Sequence, residues 1–143
     1  MRDFMYRLGK HDARDLRARA QGMTGTQIIE EEAKVPKFAD GQDYSDWPRG
    51  APVRDDGQVW QLLQPYDSKA HPGRPAELRA LWGLCHTTNP ARAKPWVDAL
   101  GTSGMYMRGE CYRDEAGVVH RAKKDNLVHN AEAAPKLWEV VTA

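Results

Sequence analysis

The chain has 143 residues, 21 of them basic and 20 acidic, for a net charge of +1. A balance this close to zero argues against nucleic-acid binding by bulk electrostatics, which needs a basic face and usually a basic total. No stretch approaches the roughly 18 apolar residues of a membrane span, and no apolar run follows the basic N-terminus as in a secretory signal. Val, Ile, Leu and Phe together make up only 23 of 143 residues, whereas five Trp and five Tyr supply bulk. Each aromatic of that size buries roughly 150–250 Å², so small aromatic-centred modules, an oligomer or both are expected in place of one aliphatic core.

The first element predicted is a helix over His11 to Gln21. Its run of Ala, Arg and Leu has good helix formers, with Asp12 and Asp15 early and Arg17 and Arg19 late, as the helix dipole favours. Gly22 is a natural stop. Thr24-Gly25-Thr26-Gln27 is a capping box that opens a second helix running toward Val35, and Pro36 ends it. Leu16 on the first helix, and Ile28, Ile29, Ala33 and Val35 on the second, form only narrow apolar faces. Helices this short are marginal alone, and so thin a stripe points to docking on identical helices of neighbouring copies.

Beyond Phe38 the texture changes to Trp, Tyr, Gly and Pro with short apolar runs. Val53, residues 58–63, Met105-Tyr106-Met107 and residues 117–120 read as short strands. Asp55-Asp56-Gly57 and Asp114-Glu115-Ala116-Gly117 read as hairpin turns. The expected class is α+β, with short N-terminal helices followed by two small three-stranded antiparallel β modules. The divisions fall at residues 1–38 for a helical anchoring or oligomerisation segment, 39–85 for the first module and 86–143 for the second.

An internal repeat carries the most information. Residues 47–61 and 106–121 share the frame aromatic-x-Arg-Gly-x-x-apolar-Arg-Asp-acidic-Gly-x-Val, with one residue inserted in the second turn. Each copy then reaches a Leu-Trp pair, Leu81-Trp82 or Leu137-Trp138, after a Pro-containing loop. The frame reads as an aromatic opening one strand, a tight turn at Gly50 or Gly109, a hairpin, and a closing Trp folded over the sheet. Such a unit of roughly 40 residues is near the lower limit for independent folding.

This frame resembles the small chitin-binding modules of carbohydrate-binding families five and twelve, over about Tyr44 to Trp82 and Trp96 to Trp138. Paired modules of this kind behind a short helical lead-in are similar to small proteins of the tail and structural regions of tailed bacteriophages. The resemblance implies sugar contacts through aromatic rings stacked on pyranose faces. Its candidates are Trp47, Trp60 and Tyr66 in the first module, and Trp96, Tyr106 and His120 in the second. Two departures from the family's pattern stand in the frame. Ala51 and Glu110 stand where the family carries Asp after the glycine, and His120 stands where an aromatic is expected. Trp82 and Trp138 read as core. Tyr106 and Trp47 read first as core or turn residues, and Trp60 serves either use.

No catalytic residues are expected. The Asp-Asp and Asp-Glu pairs sit in turns, and carboxylates for glycoside hydrolysis need a cleft between elements. His11, His71, His86, His120 and His129 show no metal-binding spacing, so no metal and no cofactor is expected. Cys85 and Cys111 read as separate thiols, although sequence alone cannot set their spacing. The leading expectation is therefore a virion structural protein, decorating a capsid or associated with a tail. It would self-associate through its N-terminal helices, as a trimer by the phage resemblance, and contact other virion proteins without nucleic acid or membrane. The alternatives are active recognition of a chitin- or peptidoglycan-type glycan on the host surface, and a targeting fragment of a larger enzyme.

Overall fold

The computed structural model describes residues 13–141. Residues 13–19 are helical (α1) and run into a 3-10 turn at Ala20–Gly22; the expected start at His11 and Asp12 lies outside the described residues. The capping box forms as expected: Thr24 Oγ1 accepts from Gln27 N at 3.2 Å, and Gln27 Oε1 accepts from Thr24 N at 2.9 Å. Helix α2 spans Gly25–Glu30, five residues short of Val35. After Glu31 a 3-10 turn at Glu32–Lys34 delivers Val35 in extended geometry (φ −82°, ψ 123°). That geometry suits the residue before Pro36. It also lets Arg54 N donate to Pro36 O at 2.8 Å and Arg54 Nε to Val35 O at 2.9 Å.

Two sheets follow. The first is antiparallel, in the order β1 (Pro52–Asp55), β2 (Gln58–Leu62), β3 (Trp82–Leu84). The second joins β4 (Lys94–Pro95), β5 (Cys111–Arg113), β6 (Val119–Ala122) and β7 (Trp138–Val141), with β4 parallel to β5. The α+β class holds, but the second sheet has four strands and mixed direction where three antiparallel ones were expected. In both sheets the third antiparallel strand starts at the closing Trp. The segment at the frame aromatic is no strand: Trp47 lies in a turn with its N–H on Tyr44 O, and Tyr106 makes only an isolated bridge to Leu127.

The repeat is reproduced in the strand register. Val53 faces Trp60 as Tyr112 faces His120, and Leu62 faces Trp82 as Ala122 faces Trp138. Gly50 N donates to Leu62 O and Gly109 N to Ala122 O, at 2.7 and 2.9 Å. The equivalence also reaches further upstream than the shared frame. Lys37 bridges Arg54 in parallel, as Pro95 pairs with Arg113 in parallel. Phe38 then stacks on Tyr44 at 5.7 Å and Trp96 stacks on Tyr106 at 5.0 Å. Phe38, placed by sequence with the helical segment, packs against the first aromatic core.

Each module encloses an aromatic core. In the first, Trp82 meets Phe38, Tyr44 and Tyr66 edge-on at 5.3–6.0 Å, and its Nε1 donates to Tyr66 Oη at 2.8 Å. In the second, Trp138 meets Trp96, Tyr106 and Tyr112, and its Nε1 donates to His129 O.

The helices cover the back of the first sheet. Leu16, Ala20, Ile28, Ile29 and Val35 form one buried cluster with Val59 and Cys85. Removing a Leu, Ile or Val side chain from water contributes about 1.5–3 kcal/mol, whereas exposed pairs such as Arg92–Glu30 contribute about 0–1 kcal/mol. Apolar docking on the chain's own sheet therefore holds the helices. The narrow stripe expected to dock on neighbouring copies is thus covered within the chain at Leu16, Ile28, Ile29 and Val35, while Ala33 is exposed. The link between modules is tied to the same helices, with Thr88 N donating to Thr26 Oγ1 at 2.9 Å and Lys94 Nζ to Glu32 Oε2 at 2.6 Å. Cys85 and Cys111 are free and buried.

Candidate functional site

Of the six aromatic and imidazole candidates, three are interior. Trp60 and Tyr106 are 1% exposed and Tyr66 is 6% exposed, all within aromatic cores. Tyr66 and Tyr106 are enclosed among other rings, whereas Trp60 borders a small concavity with the Arg79 guanidinium 5.3 Å from its ring centroid. An aliphatic-poor module has only its largest rings to bury, and these strand and loop positions point inward. Trp47 is half-buried; Tyr44 meets it edge-on at 4.7 Å, and the Arg17 guanidinium lies 4.0 Å from its ring centroid.

Trp96 and His120 come together. They line an open groove of about 820 Å³ with Tyr112, Asp114, Asn130 and Glu132. The β5–β6 hairpin positions His120. Its ring stacks on Tyr112 at 5.0 Å, and its Nε2 lies 2.8 Å from Asp114 Oδ2. Asp114 also accepts from Ala116 N and Val118 N, as the tight turn requires. The His120 hydrogen bond, followed by that from Val118 N, holds this carboxyl below the usual carboxylate range. Trp96 is fixed by its stack on Tyr106 and by donating Nε1–H to Asp98 Oδ1 at 2.8 Å. A second concavity of about 420 Å³ lies on the other side of Pro95 and Trp96, against Gln58, Asp55 and Arg74 of the first module.

The arrangement suits binding. One half-buried indole, an imidazole and acidic side chains line an open surface. No Ser, Thr, Cys or Lys is found among the described residues lining the larger groove. Among the described residues no group of three His, Cys, Asp or Glu is poised to hold a metal ion, and no helix is long and apolar enough to cross a membrane.

Sequence reasoning missed Phe38, Tyr44, Tyr112 and His86. Extending the repeat upstream would have found Phe38, because Phe38-Ala39-Asp40 matches Trp96-Val97-Asp98. His86 is 7% exposed, stacks on Tyr106 at 3.6 Å and donates Nε2–H to Gly104 O at 2.9 Å. Burial pushes its pKa from the ordinary 6.5 down to about 4. A depressed imidazole favours the fold above its unfolded pKa, and that contribution is lost as pH falls from 6.5 toward 4. His86→Gln keeps a donor for Gly104 O and cannot titrate. Urea midpoints measured across this window should decline less for the variant than for the wild type, and parallel curves would contradict the assignment.

No protein-family model and no curated protein matches this chain.

Proposed function

We propose that the chain is a non-enzymatic structural or accessory protein of a bacteriophage virion, decorating a capsid or joining tail parts. In this reading its tandem carbohydrate-binding-like modules act as a scaffold for contacts with other virion proteins. The observation that carries it is the burial of Trp60, Tyr66 and Tyr106 in the module cores, which withdraws three of the six candidate sugar-contacting side chains. The virion itself rests on the resemblance of the paired modules and lead-in. Mass spectrometry of gradient-purified particles, from cells in which the gene is expressed during lytic growth, tests it. Peptides of this chain should band with capsid and tail proteins, and their confinement to the soluble lysate would refute the proposal.

The groove beside Trp96 and His120 favours glycan recognition as a second reading, because a sugar needs one apolar ring edge with polar neighbours. Here the purified protein should be retained on insoluble chitin or peptidoglycan, and Glu132→Ala should reduce that retention several-fold. Free passage of the wild type through both would dismiss this reading.

A further inference from the structure

The two modules are joined by a contact whose counterparts on their outer faces are open among the described residues. The hairpin end of the first module is covered by the lead-in of the second. There, Gln58 Nε2 donates to Pro95 O at 3.0 Å, Arg79 Nη1 donates to Asp98 O at 3.1 Å, and Val97 packs on the first aromatic core. By strand register, the second module carries Val118, His120 and Val140 where the first carries Gln58, Trp60 and Leu84. Among the described residues no lead-in covers them. Val140 is 58% exposed and Val118 36% exposed, and the adjoining groove is lined by Asp114, Glu115 and Glu132. At the opposite end, the first lead-in occupies in its own module the place that residues 94–98 occupy in theirs. Its Lys37 and Ala39 are exposed, and Lys37 forms no ion pair among the described residues.

We propose that the open hairpin end of the second module receives the Lys37–Ala39 lead-in of a second copy of this chain, repeating between copies the contact made once within the chain. Charge supports this occupant: a lysine stands on the lead-in where the internal contact has Pro95, and three carboxylates against one cation, Arg113, line the receiving groove. Apolar contact with Val118 and Val140 replaces the Gln58 hydrogen bond. The interface is heterologous, so it propagates to a ring or a filament and does not stop at a two-fold dimer. The inference stands on the repeat geometry and is independent of where the protein resides.

Light scattering on the full chain tests it, from about 10 μM to about 1 mM, a range that reveals even weak contacts. The average mass of the wild type should rise past that of a dimer. Val140→Arg damages only the receiving end and Lys37→Glu only the lead-in, and each variant alone should remain monomeric. Both sites are exposed, and circular dichroism confirms folding; Glu132→Lys is a second variant of the receiving end. An equimolar mixture of Val140→Arg and Lys37→Glu should form dimers and nothing larger, because one intact end of each kind remains. A wild type that is monomeric throughout or halts at a dimer overturns the proposal, as do variants that assemble like the wild type. A mixture that remains monomeric also overturns it. A monomeric wild type retained on chitin through Glu132 would assign the groove to a glycan instead.

Discussion

Replacing Trp82 by Ala is expected to destabilise the protein by about 3–5 kcal/mol, the range for deleting a fully buried aromatic. Trp82 is 0% exposed, begins β3, and gathers Phe38, Tyr44 and Tyr66 around its ring. Its loss leaves a large cavity and strips the buried Tyr66 hydroxyl of its indole donor, which adds a desolvation penalty. The first sheet is also the platform for the helices through Val59 and Cys85. Urea unfolding followed by far-ultraviolet circular dichroism for the helices and near-ultraviolet for the aromatic core should therefore show the helical segment melting with the module. Trp138→Ala should weaken the second module while leaving the helix-bearing first module with its own aromatic core. A loss below about 1 kcal/mol for Trp82→Ala, within the scatter of surface substitutions, would show that the indole is not the keystone of the first module.

The second large effect is at a glycine and distinguishes the two copies of the repeat. Gly50 and Gly109 occupy the same frame position with φ of +87° and +91°. Left-handed geometry alone penalises an L-residue by roughly 1–2 kcal/mol, so both glycines are favoured. Only Gly50 is also pressed by backbone. A Cβ there would lie 2.5 Å from Gln21 Cα, in the 3-10 turn that follows α1, whereas at Gly109 the nearest atom is Thr88 Cγ2 at 3.7 Å. Gly109→Ala should lower the urea midpoint modestly. Gly50→Ala should lower it more, because the helical segment must also lift from the sheet. Lifting exposes Cys85, whose thiol burial pushes up to about 12 and holds unreactive. Faster labelling by a thiol reagent in Gly50→Ala than in Gly109→Ala is the expected readout. Equal labelling would mean that the helices do not rest on Gly50.

Local patterns carried the elements whose signals are short in range. Thr24 and Gln27 announce the cap because the two reciprocal hydrogen bonds lie within four residues. Asp55-Asp56-Gly57 and Asp114 to Gly117 announce the hairpins because their backbone must enter positive φ, as Asp56, Gly57 and Gly117 do. The repeated frame announces two related modules because the same residues serve the same turns. The part of the repeat at Phe38 and Tyr44 was less legible: five residues separate Tyr44 from Gly50 and only two separate Tyr106 from Gly109, so the frame aligned Trp47 with Tyr106. The hydrogen bonds identify Tyr44 as the equivalent, since Tyr44 N meets Tyr66 O as Tyr106 N meets Leu127 O.

The α+β class, the capping box, the two hairpins and the twofold repeat all follow from residues close together in the chain, where backbone geometry and side-chain type leave few choices. Which rings face inward, what covers the helices and where a groove opens depend on contacts between distant residues. Trp96 reads no differently from Trp60 in sequence. Trp60 is covered by its own module together with the second module's lead-in, whereas Trp96 of that lead-in is left at a groove edge. The stripe of Leu16, Ile28 and Ile29 fits a neighbouring copy or the chain's own sheet equally well by periodicity. The chain's own sheet covers it because Val59 and Cys85 lie on the same molecule, where docking loses less translational freedom than association does.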